Sequence, residues 1–327
     1  MLRGSGVLKN ALGFVVSVLV AVGCWSSAHA EDARATKLNQ NTVGLLASQP
    51  NMLGQALEIA KSVDHIDGLR VLPIIGRGEL QTINDLLFLR NVDVAMVSSD
   101  ALAFVQKNGL YADETSKVAY LAKLANENVI ILARPEFTTL KSLNGKRIAI
   151  GSSESDAFVA ADMIFGGSGM SYEGVGIEGE AALKGLRDKS IDAIVFAGTD
   201  VFPQLARVDA KSGFHIVPVS VDGELTATYS PAILSHADFP NLLSPDETVE
   251  TAASALVLAV YEWPERSERF YKLSRFTTAL TTNYFSAVSN VQATNFSAAV
   301  PGWKTYVTLK ATRAKSQRNP LSVTALQ

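Results

Sequence analysis

The sequence predicts an α/β fold with two lobes, in which mixed, mostly parallel sheets are flanked by helices and the chain crosses the hinge twice. Apolar runs typical of strands alternate with helical patterns, as they do in α/β proteins. A strand-and-helix segment in the first half of the chain is echoed in the second half. The chain has 327 residues, 47% of them hydrophobic and 19% charged, which is enough for two domains.

The first 30 residues have the three parts of a secretory signal. Arg3 and Lys9 make the start positive, Ala11–Gly23 is apolar, and Ala28-His29-Ala30 is an A-x-A cleavage pattern. The apolar run is shorter than the ~20 residues that a membrane-spanning helix needs. The alternative is a lipid anchor on Cys24, the only cysteine, in a degenerate lipobox. Because the A-x-A pattern is the cleaner of the two, we expect a free periplasmic protein.

Seven apolar runs are predicted to be strands, because they are short and rich in aliphatic and β-branched residues. Small polar residues follow several of these runs, at the point where the next helical pattern begins. In chain order the runs are Thr42–Ala47, Leu69–Ile74, Val92–Val97, Val129–Ala133, Arg147–Ile150, Ile191–Phe196 and His215–Val219.

Helical spacing of apolar residues predicts a helix over Met52–Ser62, between the first two strands. The glycine-rich stretch Gly166–Gly169 follows a helical pattern and is interpreted as the end of that helix. The last third of the chain is predicted to be helical, over Asp246–Val260 and then Pro264–Val288. Pro264 suits a first helical position, where its missing N–H has no partner in any case.

Two segments, Leu89–Asp100 and Leu186–Thr199, repeat one order of features. In both, a Leu-Arg pair precedes a charged turn, an aspartate (Asp93 or Asp192) opens an apolar strand, and small polar residues close it. Any two strand-and-helix units share some of these features. The shared Leu-Arg pair and the strand-opening aspartate favour two similar lobes.

These features predict a division of the chain. Residues 1–30 are the signal peptide, residues 38–129 and 230–309 form a discontinuous first lobe, and residues 130–229 form the second lobe. Residues 310–327 are basic, lack apolar periodicity, and are interpreted as a disordered tail.

The composition argues against two functional classes. A formal net charge of −3 lacks the basic excess that a nucleic-acid partner requires. Motifs of nucleophilic, phosphate-binding and zinc sites are absent, and His65, His215 and His236 are isolated in the sequence. We therefore expect no catalytic residue, no metal and no cofactor, although an enzyme whose site is assembled from scattered residues stays open as an alternative.

Four segments together resemble a known family. TLKSLNGKRIAIGSSES resembles the segment that opens the second lobe of type II periplasmic binding proteins. NVDVAMVSSDAL is similar to a strand of the TAXI-type solute receptors of TRAP transporters. SIDAIVFAGTDVFPQLA and TVETAASALVLAVYEWPERSERFYKLSRFTTAL are similar to two later elements of that family. The resemblance covers residues 41–306.

The resemblance implies a monomeric extracytoplasmic receptor that closes over a small organic acid or amino acid. The closed form would deliver this solute to a TRAP-type membrane permease. A periplasmic sensory or scaffolding module with the same fold, signalling to a membrane partner, is the alternative. The loops after the first two strands differ from the usual composition of the family, which keeps that alternative open.

The binding site is expected beyond the carboxyl ends of strands, where loops lead into helices. Backbone N–H groups at helix N-termini and serine hydroxyls suit a small acid. Phe196 and Tyr229 are weaker candidates, because a buried aromatic residue more often belongs to the core. The candidate ligand-binding residues are Gln49, Asn51, Gly76, Arg77, Ser98, Ser99, Asp100, Ser152, Ser153, Ser155 and Thr199.

Several of these candidates have a second interpretation. Arg77, flanked by glycines, can hold both oxygens of a carboxylate, or it is a surface arginine near a turn. Asp100 binds a ligand ammonium group or caps the following helix, and the cap is favoured. Ser155 or Asp156 alone is favoured as an N-cap, whereas the whole cluster of polar residues favours a ligand. Glu154 and Asp156 are expected to point away from an anionic ligand.

Overall fold

The computed structural model describes residues 41–198, 201–287 and 299–306. The predictions for the leader, Cys24, Thr199 and the basic tail fall outside these residues. The described residues from Val43 onward belong to one compact unit.

The described residues form strands that alternate with helices through most of the chain. The strands are β1 (Thr42–Ala47), β2 (Arg70–Ile75), β3 (Val94–Ser98), β4 (Val118–Asn128), β5 (Ile130–Ala133), β6 (Arg147–Ala149), β7 (Glu173–Val175), β8 (Ala193–Phe196), β9 (His215–Val217), β10 (Ser230–Ser235) and β11 (Thr248–Tyr261). The helices are α1 (Leu53–Val63), α2 (Glu79–Phe88), α3 (Ser99–Lys107), α4 (Asp156–Gly167), α5 (Gly179–Arg187), α6 (Val201–Leu205), α7 (Glu268–Ala279) and α8 (Phe285–Ala287). Within the ranges that the structure describes, none of the helices combines the length and the apolar character needed to cross a membrane.

The strands form two mixed sheets, so the predicted α/β fold class is confirmed. The first sheet has the order β10-β11-β3-β1-β2, with β4 also paired to β11, and the second has the order β7-β6-β8-β5-β9. β1 and β3 are parallel, as are β6 and its neighbours β7 and β8. Antiparallel pairing is more extensive than predicted, because the long strand β11 runs antiparallel to β3, β4 and β10.

The chain passes from the first sheet to the second between β4 and β5, and it returns between β9 and β10. At the first crossing, the N–H of Val129 donates to the carbonyl of Ala252 at 2.8 Å, and the hydroxyl of Thr251 donates to the carbonyl of Val129. The outgoing crossing is therefore bonded to β11, the second strand after the return. The division of the chain into two lobes that move separately stays a prediction.

The prediction of a helix over Asp246–Val260 is wrong, because the strand β11 occupies this segment from Thr248 onward. Its alanines favour a helix in isolation. In the fold, however, strands pair with both of its edges, and nearly every residue from Val249 to Val260 is buried. β-branched residues such as Thr251 and Val257 suit that environment, so tertiary packing overrides helix propensity. The strands β4, β7 and β10 were not predicted at all.

The helix predicted to begin at Pro264 begins later. Ser267 is the N-cap of α7, and its hydroxyl accepts a hydrogen bond from the N–H of Phe270 at 3.2 Å. Pro264 lies in the turn before this cap, where its carbonyl accepts from the N–H of Ser267. The helix continues through a π-helical turn at Leu280–Tyr284.

The two strand-opening aspartates make equivalent contacts in the two sheets. The Asp93 carboxylate accepts from the N–H of Gly44 at 3.0 Å, and the N–H of Asp93 donates to the carbonyl of the same Gly44. The Asp192 carboxylate accepts from the N–H of Arg147 at 2.9 Å, and the N–H of Asp192 donates to the carbonyl of Arg147. The sequence echo therefore reflects one way of aligning two neighbouring parallel strands.

Each of these aspartates also has a cation as a partner. Lys272 of α7 lies 2.8 Å from the carboxylate of Asp93, and the two side chains are 10% and 0% exposed. Arg134, which follows β5, forms an ion pair with Asp192. Because Asp93 is fully buried, the loss of its charge would remove the carboxylate that pairs with the ammonium group of Lys272 in a nearly dry site.

We expect the substitution Asp93→Asn to lower the free energy of unfolding by about 3–5 kcal/mol, because it leaves one member of a buried ion pair. The double variant Asp93→Asn/Lys272→Met should recover most of that loss, since no buried charge then lacks a partner. Urea denaturation followed by circular dichroism measures both values. As a control, Asp188→Asn in the exposed pair with Lys184 should have little effect. Equal losses in the single and double variants would contradict this account.

Candidate functional site

A cavity of about 120 Å³ lies where the loop after β1 meets the second sheet. The loop after β1 contributes Gln49 and Asn51, which are both candidate ligand-binding residues. The second sheet and its helices contribute the rest of the lining, which is Gly151, Ser155–Ala157, Ile177–Gly179, Ile194–Ala197 and Gln204. Three of the predicted site residues, Gln49, Asn51 and Ser155, therefore share one cavity.

The hydroxyl of Ser155 caps α4 and lines the cavity as well. Its oxygen accepts from the N–H of Phe158 at 3.2 Å, and the hydroxyl lies 2.9 Å from the carbonyl of Ile150, to which it donates. Gly151 makes this turn possible, because its φ is +67° and a Cβ there would lie 2.7 Å from the Ser155 hydroxyl. Ser155 thus serves as the N-cap of α4 and also lines the cavity, so both predicted roles are open to the same residue.

Glu79, the first residue of α2, is a fully buried carboxylate that the sequence analysis missed. It accepts from the hydroxyl of Ser48 at 2.7 Å and from the N–H of Ser98 at 2.9 Å, so it connects the ends of β1 and β3. Burial raises the pKa of Glu79 well above its ordinary value, and the charge of Asp156 raises it further, against the effect of the two hydrogen bonds.

Glu127 of β4 is a second buried carboxylate that was missed, with 4% of its surface exposed. Its Oε1 is fully buried and has no hydrogen-bond partner in the part of the chain that the structure describes. Burial raises the pKa of Glu127 well above its ordinary value, and the charges of Asp156, Glu79 and Asp100 add to this effect. These four carboxylates are called the acidic cluster below.

Asp100, Ser98 and Ser99 are all buried, and each is used by the protein itself. The Asp100 carboxylate accepts from the hydroxyl of Tyr229 at 2.9 Å, and its pKa is raised by burial. The hydroxyl of Ser99 accepts from the N–H of Ala255 in β11 at 2.9 Å. The N-cap of α3 is Ser98, so the prediction that Asp100 caps this helix is wrong.

Asp156 lies at the cavity, whereas it was expected to point away from the ligand. A Cβ at Gly198, whose φ is +90°, would come within 2.2 Å of Asp156 Oδ2, so glycine makes room for this carboxylate. Glu154, for which the same was expected, is exposed and is not among the described lining residues. Asp156 therefore departs from the expectation, because the space left by Gly198 lets its carboxylate lie at the cavity.

The remaining candidates lie away from the described lining of the cavity. Arg77 is exposed, and so are Ser152 and Ser153. Gly76 packs closely on α2, because a Cβ there would meet the Thr82 hydroxyl at 2.5 Å. A binding role for these residues stays a prediction.

The two sheets carry loops and helices that touch across the site. A Cβ at Gly78 would lie 2.7 Å from the carbonyl oxygen of Glu154, so the loops before α2 and α4 are in close contact. The rings of Phe104 in α3 and Phe158 in α4 pack edge to face, with 5.7 Å between their centroids. The candidate site is therefore in a closed arrangement.

The family of the chain follows from its sequence match. Residues 59–275, more than half of the chain, match the NMT1-like family. The chain belongs to this family. The match does not single out the TAXI-type receptors, so that narrower resemblance stays a prediction. No curated protein matches the sequence of this NMT1-like protein.

Several solved structures resemble the NMT1-like chain at low sequence identity. A TctC solute-binding protein from Polaromonas is 15% identical, with 85% of this chain and 94% of that chain covered and a TM-score of 0.46. XAC2383 from Xanthomonas citri, bound to ATP, is 12% identical, with 86% and 99% covered and a TM-score of 0.49. The periplasmic aliphatic sulphonate binding protein SsuA from Escherichia coli is 14% identical, with 74% of each chain covered and a TM-score of 0.42. At these values the similarity carries no conclusion about the ligand.

We expect Glu127→Gln to raise the free energy of unfolding at about pH 8, by about 1–3 kcal/mol, and to change it little near pH 4. The folded-state pKa of Glu127 lies above its ordinary value of 4.5, so the folded state holds the proton more tightly than the unfolded state. Stability is therefore full below pH 4.5 and falls as pH rises through the raised pKa. Glutamine has no charge to bury, so the free energy of unfolding of the variant should not decrease in this way as pH rises. Urea denaturation across this pH range, without added solute, measures the difference.

The exposed carboxylate of Glu224 provides the matched control. The variant Glu224→Gln should keep the wild-type dependence of stability on pH. A Glu127→Gln variant that also kept the wild-type profile would show that the charge of Glu127 is not buried in solution.

Proposed function

We propose that this protein is an extracytoplasmic receptor that closes over a small polar solute and delivers it to a TRAP-type membrane permease. An organic acid or an amino acid is the solute class that the resemblance to TAXI-type receptors implies. On this proposal the protein acts as a monomer in the periplasm and carries out no chemical reaction on its solute.

The observation that carries the proposal is the cavity shared by both sheets. Its lining combines Gln49 and Asn51 from the end of β1 with Ser155, Asp156 and Gln204 from the second sheet and its helices. A solute in this cavity would touch both sides at once. Because only a closed arrangement offers both sets of contacts, the solute would favour closure, and a permease can then distinguish loaded from empty receptor.

The location is supported by the sequence of the leader. A positive start, an apolar stretch and an A-x-A pattern precede the first strand. A receptor that feeds a permease from outside the cytoplasm requires such export. The resemblance of four segments to the TAXI-type receptors supports the choice of a TRAP permease as the partner.

We expect at least one solute to bind with a micromolar or lower dissociation constant and to make the protein more compact. Isothermal titration calorimetry against dicarboxylates, oxoacids, amino acids and amines measures binding, and small-angle X-ray scattering measures the radius of gyration. Uptake by membrane vesicles that contain the permease then tests delivery. A complete panel with neither binding nor compaction would refute the receptor proposal, and binding without uptake would refute the permease assignment.

We expect Gly78→Ala to weaken solute binding at least tenfold and to enlarge the solute-bound radius of gyration. A Cβ at this position would lie 2.7 Å from the carbonyl of Glu154, so the loops could not approach as closely. The variant Gly145→Ala is the control, because Gly145 also has a positive φ (+69°) but has nothing within 4 Å of an added Cβ. Both variants should lose some stability through backbone strain, but only Gly78→Ala should impair closure. Unchanged affinity in Gly78→Ala would show that this contact is not needed for binding.

A further inference from the structure

The charges around the cavity are of one sign. Asp156 and Glu178 line it, and among the described lining residues there is no lysine or arginine. Asp156 also belongs to the acidic cluster, whose members Glu79, Asp100 and Glu127 are almost completely buried. A carboxylate ligand in this cavity would lie against these charges and would meet no described cation in return.

A second observation points to a missing positive charge. Glu127 is 4% exposed, and its Oε1 is buried without a hydrogen-bond partner in the described residues. Asp156, Glu79 and Asp100 are close enough for their charges to act on it. A buried carboxylate oxygen normally has at least one donor, so this orphaned atom has room for a donor that the described residues do not supply.

The geometry argues for an organic cation rather than a metal ion. No group of three or more histidine, cysteine, aspartate or glutamate side chains in the described residues is arranged to hold a metal. The carboxylates are instead spread over α2, α3, β4 and α4. Gln49, Asn51 and Gln204 offer amide groups at the cavity, and Phe196 offers a ring. Amides and an aromatic ring suit a protonated amine with a short carbon chain.

We propose that the cavity binds the protonated amino group of a small solute, with Asp156 in direct contact and the buried carboxylates Glu79 and Glu127 supplying the negative field. This inference rests on the proposed receptor function and narrows its solute class to amino acids and amines. Asp156 is the contact residue because it alone belongs to both the cavity lining and the acidic cluster. The resemblance implies an organic acid or an amino acid as the solute. The charge of the site favours the amino acid, because it carries an amino group.

A series of three four-carbon solutes tests the charge preference directly. Butane-1,4-diamine, 4-aminobutanoate and butanedioate have chains of the same length and differ in the charges at their ends. Calorimetry on the purified protein should show affinity that falls in this order, with no binding of butanedioate. Alanine, lysine and arginine extend the series to amino acids with and without a second cation.

The protons exchanged on binding provide a second readout. A bound cation lowers the pKa of nearby carboxyl groups and a bound anion raises it, so the two kinds of solute change the number of bound protons in opposite directions. Titrations at about pH 6 in two buffers of different ionisation enthalpy measure the sign of this exchange. We expect net proton release with amines, and a smaller release in Glu127→Gln.

Two isosteric variants test the assigned contact. Asp156→Asn should lower the affinity for amines by about 10–100-fold, the loss typical of a hydrogen bond to a charged group. Glu180→Gln, in a side chain that is 69% exposed and two residues from Glu178, should bind amines like the wild type. Circular dichroism confirms that both variants fold.

The outcomes separate this inference from the function on which it rests. Tighter binding of butanedioate than of the diamine, with proton uptake, would overturn the amine inference and leave the receptor function standing. Amine binding that Asp156→Asn does not weaken would overturn the assigned contact. If no amine, acid or neutral solute binds, both the inference and the receptor function are overturned.

Discussion

The buried carboxylate of Glu79 is the constraint on which the geometry of the site depends. It joins Ser48 at the end of β1 to Ser98 at the end of β3, and it does so from the first turn of α2. The N-terminus of a helix favours a negative charge, and the two donors favour it further. Burial and the charge of Asp156 act in the opposite direction and raise the pKa of Glu79. The loops on the first side of the cavity are thus joined by a carboxyl group whose charged form is disfavoured by burial and by Asp156.

The sequence predicts most of the strands because a buried strand has a simple pattern. β1 and β8 are short apolar runs that are followed by polar turns. Few structures other than a buried strand fit such a run. The failure at β11 has a physical reason. Its alanines are compatible with a helix or a strand. Pairing with β10, and with β3 and β4, which lie far away in the sequence, makes it a strand. A local sequence pattern contains no information about the pairing of two strands that lie about 150 residues apart, as β3 and β11 do.

The site was also predictable only in part, because local patterns do not show which side chains become buried by distant strands. Gln49, Asn51 and Ser155 follow strands, so the rule that ligands lie beyond carboxyl ends of strands finds them. Glu79 and Glu127 were missed because an isolated glutamate in an amphipathic segment reads as a solvent-exposed residue. A glutamate directly after a glycine at a helix start is the one signal that pointed to Glu79. For Glu127 no comparable local signal exists, since its burial is created by β11.

The closed arrangement combines a favourable apolar contact with an unfavourable charge repulsion, and on the proposed function the charge of the solute would decide between them. The apolar contact between α3 and α4, with Phe104 against Phe158, favours closure with or without solute. In this arrangement Asp156 lies close enough to the carboxylates of the first sheet for its charge to raise the pKa of Glu79 and Glu127, which is a repulsive interaction. A solute shifts the balance only by its difference in affinity for the closed and open forms. A protonated amine supplies that difference by removing the repulsion, whereas a carboxylate would add to it. On the proposed function, selectivity for charge and the coupling of binding to closure would therefore have the same physical origin.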